Sequence, residues 1–234
     1  MSSAILSSAY SGDKKSIARV ISLIENETDL DIQSPKHDVP VIGITGPPGA
    51  GKSTLVDALI GEYVKVGKSI AVLCVDPSSV VHQGAILGDR IRMSQWFNHP
   101  NVFIRSLSSR GSMGGLHPFI HKIKCFLQQC PFDIILIETV GVGQSEIEII
   151  RHADKTVLVL VPEAGDEIQL MKSGIVEVAD LFVVNKTDRP GSNIFVTQLT
   201  NMLKSKTSPK KVCSTIATKA EGVAELKKMI DTLI

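Results

Sequence analysis

Six short runs along this 234-residue chain are mostly apolar, and segments with helical spacing separate them. The runs are Val41–Thr45, Ser69–Val75, Val102–Leu107, Asp133–Glu138, Thr156–Val161 and Leu181–Asn185, and the more polar Lys211–Thr215 is a candidate for a last strand. A strand without a polar face belongs in a sheet covered on both sides. The stretches 53–66, 87–97, 116–129, 145–152, 167–178, 193–204 and 220–234 read as the covering helices. Strand–helix alternation of this kind predicts an α/β fold with a doubly wound, mostly parallel sheet flanked by helices. Such sheets bind ligands at the carboxyl ends of their strands. Functional residues should therefore stand in the loops that follow the apolar runs.

The first such loop carries Gly46-Pro47-Pro48-Gly49-Ala50-Gly51-Lys52-Ser53, with Thr54 next. This is G-x-x-x-x-G-K-[ST] placed between a strand and a helix, the context that gives the motif its meaning. The glycines let successive backbone N–H groups curl around phosphate oxygens, and the helix adds its positive end. Lys52 can reach the β- and γ-phosphates, and the Ser53 hydroxyl can ligate Mg²⁺. The expected organisation is a short N-terminal helical extension and connector over 1–38, then a P-loop NTPase domain over 39–234. The extension carries Ile17, Val20, Ile21 and Ile24 at helical spacing, and residues 30–40 form a polar connector with two prolines.

The sixth run ends in Asn185-Lys186-Thr187-Asp188. A carboxylate at Asp188 can accept from the ring N1–H and the exocyclic amine of guanine, a pair that adenine does not offer. Asn185 would brace the loop, and the Lys186 stem would lie along the purine. Ser214 and Thr215, at the end of the candidate last strand, are candidates to complete the base pocket through backbone groups. GTP and GDP, with Mg²⁺, are the expected ligands.

Acids at strand ends are candidates for the metal. Asp76 directly follows one run, Asp89 lies in GAILGDRIRM, and Glu138 ends another at the place of a Walker B acid. Mg²⁺ on a triphosphate keeps several waters and needs only one or two carboxylates. Lys52, Asp89, Glu138 and Arg92 are the catalytic candidates, with Arg90 and Arg110 as further charge stabilisers. Many GTPases place a water-positioning glutamine directly after the Walker B glycine. Here Val142 follows Gly141 and Gln144 comes two residues later, so slow intrinsic hydrolysis that awaits a partner is expected.

These segments resemble the methylmalonyl-CoA mutase-associated GTPases of the MeaB/ArgK type. The resemblance rests on GITGPPGAGKSTLVDALI, VDPSS, GAILGDRIRM, SRGSMGG, ETVGVGQSE and GDEIQLMKSGIVEVADLFVVNKTD, and covers the chain from about Asp13 onward. It implies a GTP-driven chaperone that gates cofactor loading and protects a cobalamin-dependent acyl-CoA mutase. It also implies that Gly141 and Gln144, together with Asp166, Gln169 and Lys172, relay nucleotide state to that partner. Family members continue past the last strand into a helical arm that forms a dimer. This chain stops at Ile234, so a homodimer through that arm is left open. The base-pocket segment reads Cys-Ser-Thr-Ile-Ala-Thr where the family has a Ser-Ala or Ser-Gly turn.

Composition narrows the alternatives. The formal net charge is +1, from 25 basic and 24 acidic residues, so no global field favours nucleic acid. Cys74, Cys125, Cys130 and Cys213 form no CxxC pair, which suits a reducing compartment. No signal peptide and no membrane helix is legible, and the expected location is the cytoplasm, or an organelle matrix for a chain without its transit peptide, with no membrane partner. A metallochaperone GTPase would carry cysteine pairs or histidine tracts. His117, His121 and Cys125, at i, i+4 and i+8, instead suggest one face of an outer helix. A P-loop kinase would need an acceptor pocket and an arginine-rich lid, and NKTD points away from ATP.

Overall fold

The computed structural model describes residues 2–28, 30–32, 39–76, 93–108, 116–139, 148–162, 175–204 and 210–234. Seven strands, β1 (Val41–Thr45), β2 (Ile70–Asp76), β3 (Val102–Ser108), β4 (Ile134–Thr139), β5 (Lys155–Leu160), β6 (Leu181–Asn185) and β7 (Lys211–Thr215), form one sheet. The order is β3-β2-β4-β1-β5-β6-β7, and every pairing among them is parallel. The described helices are α1 (Ser2–Tyr10), α2 (Lys14–Glu25), α3 (Lys52–Lys65), α4 (Ile120–Leu127), α5 (Ile175–Val178), α6 (Ser192–Lys204) and α7 (Val223–Leu233).

The sheet is covered on both faces, as its apolar strands require. On one face Ile42, Ile44, Val72, Leu136, Val157 and Val183 pack with Leu55, Leu59 and Ile60 of α3 and with Leu226 and Ile230 of α7. The opposite face holds two patches. Ala71, Leu73, Ile135 and Ile137 pack with Ile17, Val20, Ile21 and Ile24 of α2 and with Ile123 and Phe126 of α4. Leu158, Leu160, Phe182 and Val184 pack with Val176 of α5 and with Phe195, Leu199 and Leu203 of α6.

Sequence spacing does not predict α1, whose polar positions are mostly serine. It is held by tertiary contact: Ala9 is buried, and the Tyr10 ring lies 5.9 Å from that of Phe126. Asp13 then caps α2, its carboxylate accepting from the Ser16 N–H at 2.9 Å. The expected helix over 116–129 is shorter, because His117 and Pro118 sit in a turn ahead of α4. The expected helix over 145–152 is a 3₁₀ turn at Ile149–Arg151 where described, and that over 87–97 is one at Ser94–Trp96. Among the described residues no helix is long and apolar enough to cross a membrane.

The amino ends of three strands are fixed by one device. Asp133, Asp154 and Asp180 each accept from the backbone N–H of a neighbouring chain segment: Ser69 at 2.7 Å, Val41 at 2.7 Å and Thr156 at 2.8 Å. The N–H of each aspartate returns a bond to the same residue's carbonyl, at 2.8, 2.8 and 2.9 Å. The amino edge is thereby pinned, and the chemistry-bearing loops lie at the other edge.

Candidate nucleotide-binding site

Residues 46–51 run from the end of β1 to the start of α3. Gly46 has φ +143°, and a Cβ there would stand 2.1 Å from the carbonyl oxygen of Val159 in β5. Only glycine lets the chain turn so close to the adjoining strand. Gly51, at φ +87°, is the residue before α3 and offers no side-chain cap. The first amides of α3 therefore stay available to an anion at the helix end.

Lys52 and Ser53 open that helix, and both are buried. The Lys52 ammonium donates to the carbonyls of Gly46 at 2.8 Å and Pro47 at 3.0 Å, spanning the loop that precedes it. The Ser53 hydroxyl donates to Glu138 Oε1 at 2.6 Å. Glu138 is only 4% exposed and stands next to last in β4, beside β1. A carboxyl group so buried needs polar partners of this kind. Ala50 is buried, Thr54 half-buried, and Pro48 and Gly49 form the exposed outer part of the loop.

A second cluster lies at the end of β6. Asn185 is 2% exposed. Its amide donates to the Ala50 carbonyl at 2.9 Å, and its Oδ1 accepts from the Thr215 hydroxyl and the Ala217 N–H, both at 3.1 Å. Lys186 takes φ +59° and donates from Nζ to the Gly49 carbonyl at 2.7 Å. Thr187 donates from backbone and hydroxyl to the Thr215 carbonyl, at 3.2 Å each. Asp188 follows in the same turn with its carboxylate exposed. The Ser192 hydroxyl at the start of α6 closes the turn onto the Thr187 carbonyl at 2.8 Å.

Gly46 to Ser53, Glu138, Asn185, Lys186, Asp188 and Thr215 are thus brought to one edge of the sheet. Ser214 is exposed on β7 and makes no side-chain contact with the Asn185 cluster among the described bonds. Asp89, Arg90, Arg92, Arg110, Gly141, Gln144, Asp166, Gln169 and Lys172 lie outside the described residues, and of Asp76 only the backbone, the last residue of β2, is described.

Two features were not read from sequence. Ala217, two residues beyond β7, meets Asn185 through its backbone N–H. The place after a terminal strand is the signal that could have found it. Thr45 and Thr139 form a buried hydroxyl pair beside Gly46 and Glu138. The expected His117-His121-Cys125 face does not form, because His117 is buried ahead of α4 and its Nδ1 accepts from the Phe119 N–H at 3.1 Å. His121 Nε2 stands 3.7 Å from Cys125 Sγ. No group of three or more His, Cys, Asp or Glu residues poised for a metal is found among the described residues.

A family model described as "Methylmalonyl Co-A mutase-associated GTPase MeaB" matches residues 17–233. The "putative GTPase" of Pyrococcus horikoshii is 43% identical over 232 residues, covering 94% of this chain and 73% of its own. The "fused isobutyryl-CoA mutase" of Cupriavidus metallidurans is 38% identical over 197 residues, 80% of this chain but 18% of that one. Among solved structures, a "LAO/AO transport system kinase" superposes with a TM-score of 0.74 at 22% identity, over 99% of this chain and 74% of that chain.

Proposed function

Because this chain belongs to the methylmalonyl-CoA mutase-associated GTPase family, we propose that its GTP cycle serves a cobalamin-dependent acyl-CoA mutase as a chaperone, gating cofactor loading and protecting the enzyme. The chain is a GTPase, releasing phosphate and GDP from GTP and water. One observation carries the mutase half of the proposal. A segment 38% identical to this chain occupies 18% of a protein named as a fused isobutyryl-CoA mutase. A shared polypeptide places a GTPase of this kind at very high effective concentration beside mutase chemistry.

The site supports a division of labour. Backbone N–H groups of residues 49–53 and the Lys52 ammonium would hold the phosphates, with Lys52 exchanging its two loop carbonyls for phosphate oxygens. Asp188 would accept the two guanine donors, while Asn185 and Lys186 keep that turn against the phosphate loop. A buried pair of hard oxygen donors, the Ser53 hydroxyl and the Glu138 carboxylate 2.6 Å apart, fits Mg²⁺ in donor type. Ser53 would hold it, with Glu138, Asp76 and Asp89 as the acids. When bound, the ion neutralises charge on the β- and γ-phosphates.

GTP turnover measured with and without a purified cobalamin-dependent acyl-CoA mutase tests the proposal. Stimulated phosphate release and a complex on gel filtration are expected. Neither stimulation nor complex would overturn the mutase role and leave the GTPase intact. Phosphate found on an acceptor molecule rather than free in solution would point to a kinase instead.

A further inference from the structure

Thr45 is the last residue of β1, and Thr139 is the last residue of β4. Both are buried, at 0% and 1% exposure. The residues before them are Val-Ile-Gly-Ile in β1 and Ile-Ile-Leu-Ile-Glu in β4. Two hydroxyls thus stand where aliphatic side chains would fill the same space.

Backbone pairing between these strands runs from Val41–Ile135 to Ile44–Glu138 and stops. Thr139 Oγ1 then donates to Thr45 Oγ1 at 3.0 Å. A side-chain bond therefore carries the pairing one step beyond the backbone ladder. It does so where β1 turns into the loop at Gly46 and β4 has just presented Glu138 to Ser53.

Stability does not account for the pair. A buried hydroxyl bond adds only modest net stability, and replacing both partners by apolar groups of the same shape can be nearly neutral or stabilising. Two valines would hold the strands together as well. Placement is what the hydroxyl bond supplies and valine does not.

We propose that the Thr45–Thr139 hydroxyl pair is a positioning element of GTP hydrolysis. It fixes the carboxyl end of β1 against that of β4, and so sets the phosphate loop at Gly46 relative to the Glu138–Ser53 pair. Neither threonine needs to touch the nucleotide. Both act through residues that flank them in the chain. The inference rests on the GTPase reading of the site.

The test compares wild type with T45V/T139V, T139V and T139S. It measures kcat and KM for GTP, GDP affinity by calorimetry, and Tm. The double valine variant is expected to melt at or above wild type and to bind GDP within about twofold, yet to lose about tenfold in kcat with KM little changed. T139S, which keeps the hydroxyl, should retain most of the rate. A double valine variant with wild-type kcat overturns the proposal, and so does a parallel fall in kcat and GDP affinity. If that variant does not fold, T139S against T139A decides: equal kcat in the two overturns it. Wild type that releases no phosphate from GTP in the same assay would remove the GTPase reading itself, a distinguishable result.

Discussion

The side-chain amide of Asn185 donates to the backbone carbonyl of Ala50 at 2.9 Å, joining the turn after β6 to the phosphate loop across 135 positions of sequence. The same side chain accepts from Thr215 and Ala217. One asparagine thus locks three loops at the edge of the sheet. Its replacement should disturb nucleotide binding from both ends at once. N185A leaves a buried carbonyl, a hydroxyl and an N–H without their partner, at a cost of about 2–4 kcal/mol in stability. Guanine-nucleotide affinity should fall at least tenfold by calorimetry. Urea denaturation checks the first figure, and a variant as stable as wild type would show that the three loops hold their places independently.

Asp188 lies in the turn that Asn185 and Lys186 hold, with its carboxylate exposed. A carboxylate complements the two donors of guanine. An amide offers one donor and one acceptor, which complements the N1–H and C2 carbonyl of xanthine. D188N should therefore weaken GDP binding by 1–3 kcal/mol, on the order of ten- to a hundredfold, and strengthen binding of xanthosine diphosphate. Calorimetry with both nucleotides reads the exchange. Loss of both affinities together would place the base elsewhere.

Much of this site was legible because its residues are tied to strand ends. β1 and β6 have the bounds that their apolar runs announce, and β7 those of the candidate last strand, so Gly46, Asp188 and Thr215 could be assigned to one edge of a parallel sheet. The bond between Thr45 and Thr139 was not legible, since it depends on β4 lying next to β1 in the order β3-β2-β4-β1. No local period encodes that adjacency. The helix α1 escaped for a related reason: its serines weaken the apolar stripe, and packing against α2 and Phe126 makes up the difference. His117 looked like a member of a helical face because spacing alone cannot see that the turn through Pro118 delays α4 to Ile120.

The three glycines of the loop should tolerate alanine very unequally. At Gly46 a Cβ would meet the Val159 carbonyl at 2.1 Å, and backbone in a central strand cannot give way. At Gly51 it would meet Asn185 Nδ2 at 2.5 Å, so the amide could move only by breaking its bond to Ala50. At Gly49, φ is +77° but nothing lies within 4 Å. G49A should cost only the backbone penalty, about 1–2 kcal/mol. G51A should cost more, and G46A most, about 4 kcal/mol or beyond. Denaturation midpoints in that order are expected. G49A as damaging as G46A would refute the steric account.

Asp154 ties the start of β5 to the start of β1, the strand that delivers the phosphate loop. Its carboxylate accepts from the Val41 N–H at 2.7 Å while its own N–H donates to the Val41 carbonyl at 2.8 Å. D154A removes the first bond, a charge-assisted one, at a cost of about 1.5–3 kcal/mol. Because the loss lies at the opposite end of β1 from the site, GDP affinity should be unchanged in the folded variant. Melting and calorimetry together check this, and a large affinity loss without destabilisation would contradict it.

Alkaline pH should unfold the protein through its buried thiols. Burial pushes the Cys130 thiol from its ordinary 9.0 up to about 12; burial, and then the nearby Glu225 carboxylate, do the same for Cys213. The folded state keeps these protons at a pH where the unfolded chain releases them. Their contribution is therefore complete below about pH 9 and is lost as pH rises toward about 12, with a slope of up to about 1.4 kcal/mol per pH unit for each thiol. Tyr63, raised by burial and by Asp231, adds to the decline above its ordinary 10.0. Urea midpoints taken from pH 8 upward should fall steeply in wild type. In C130A/C213A the whole curve starts lower, because two small cavities are created. Its slope should nevertheless be shallower, with the tyrosine part remaining. An unchanged slope in that variant would assign the alkaline loss to other groups.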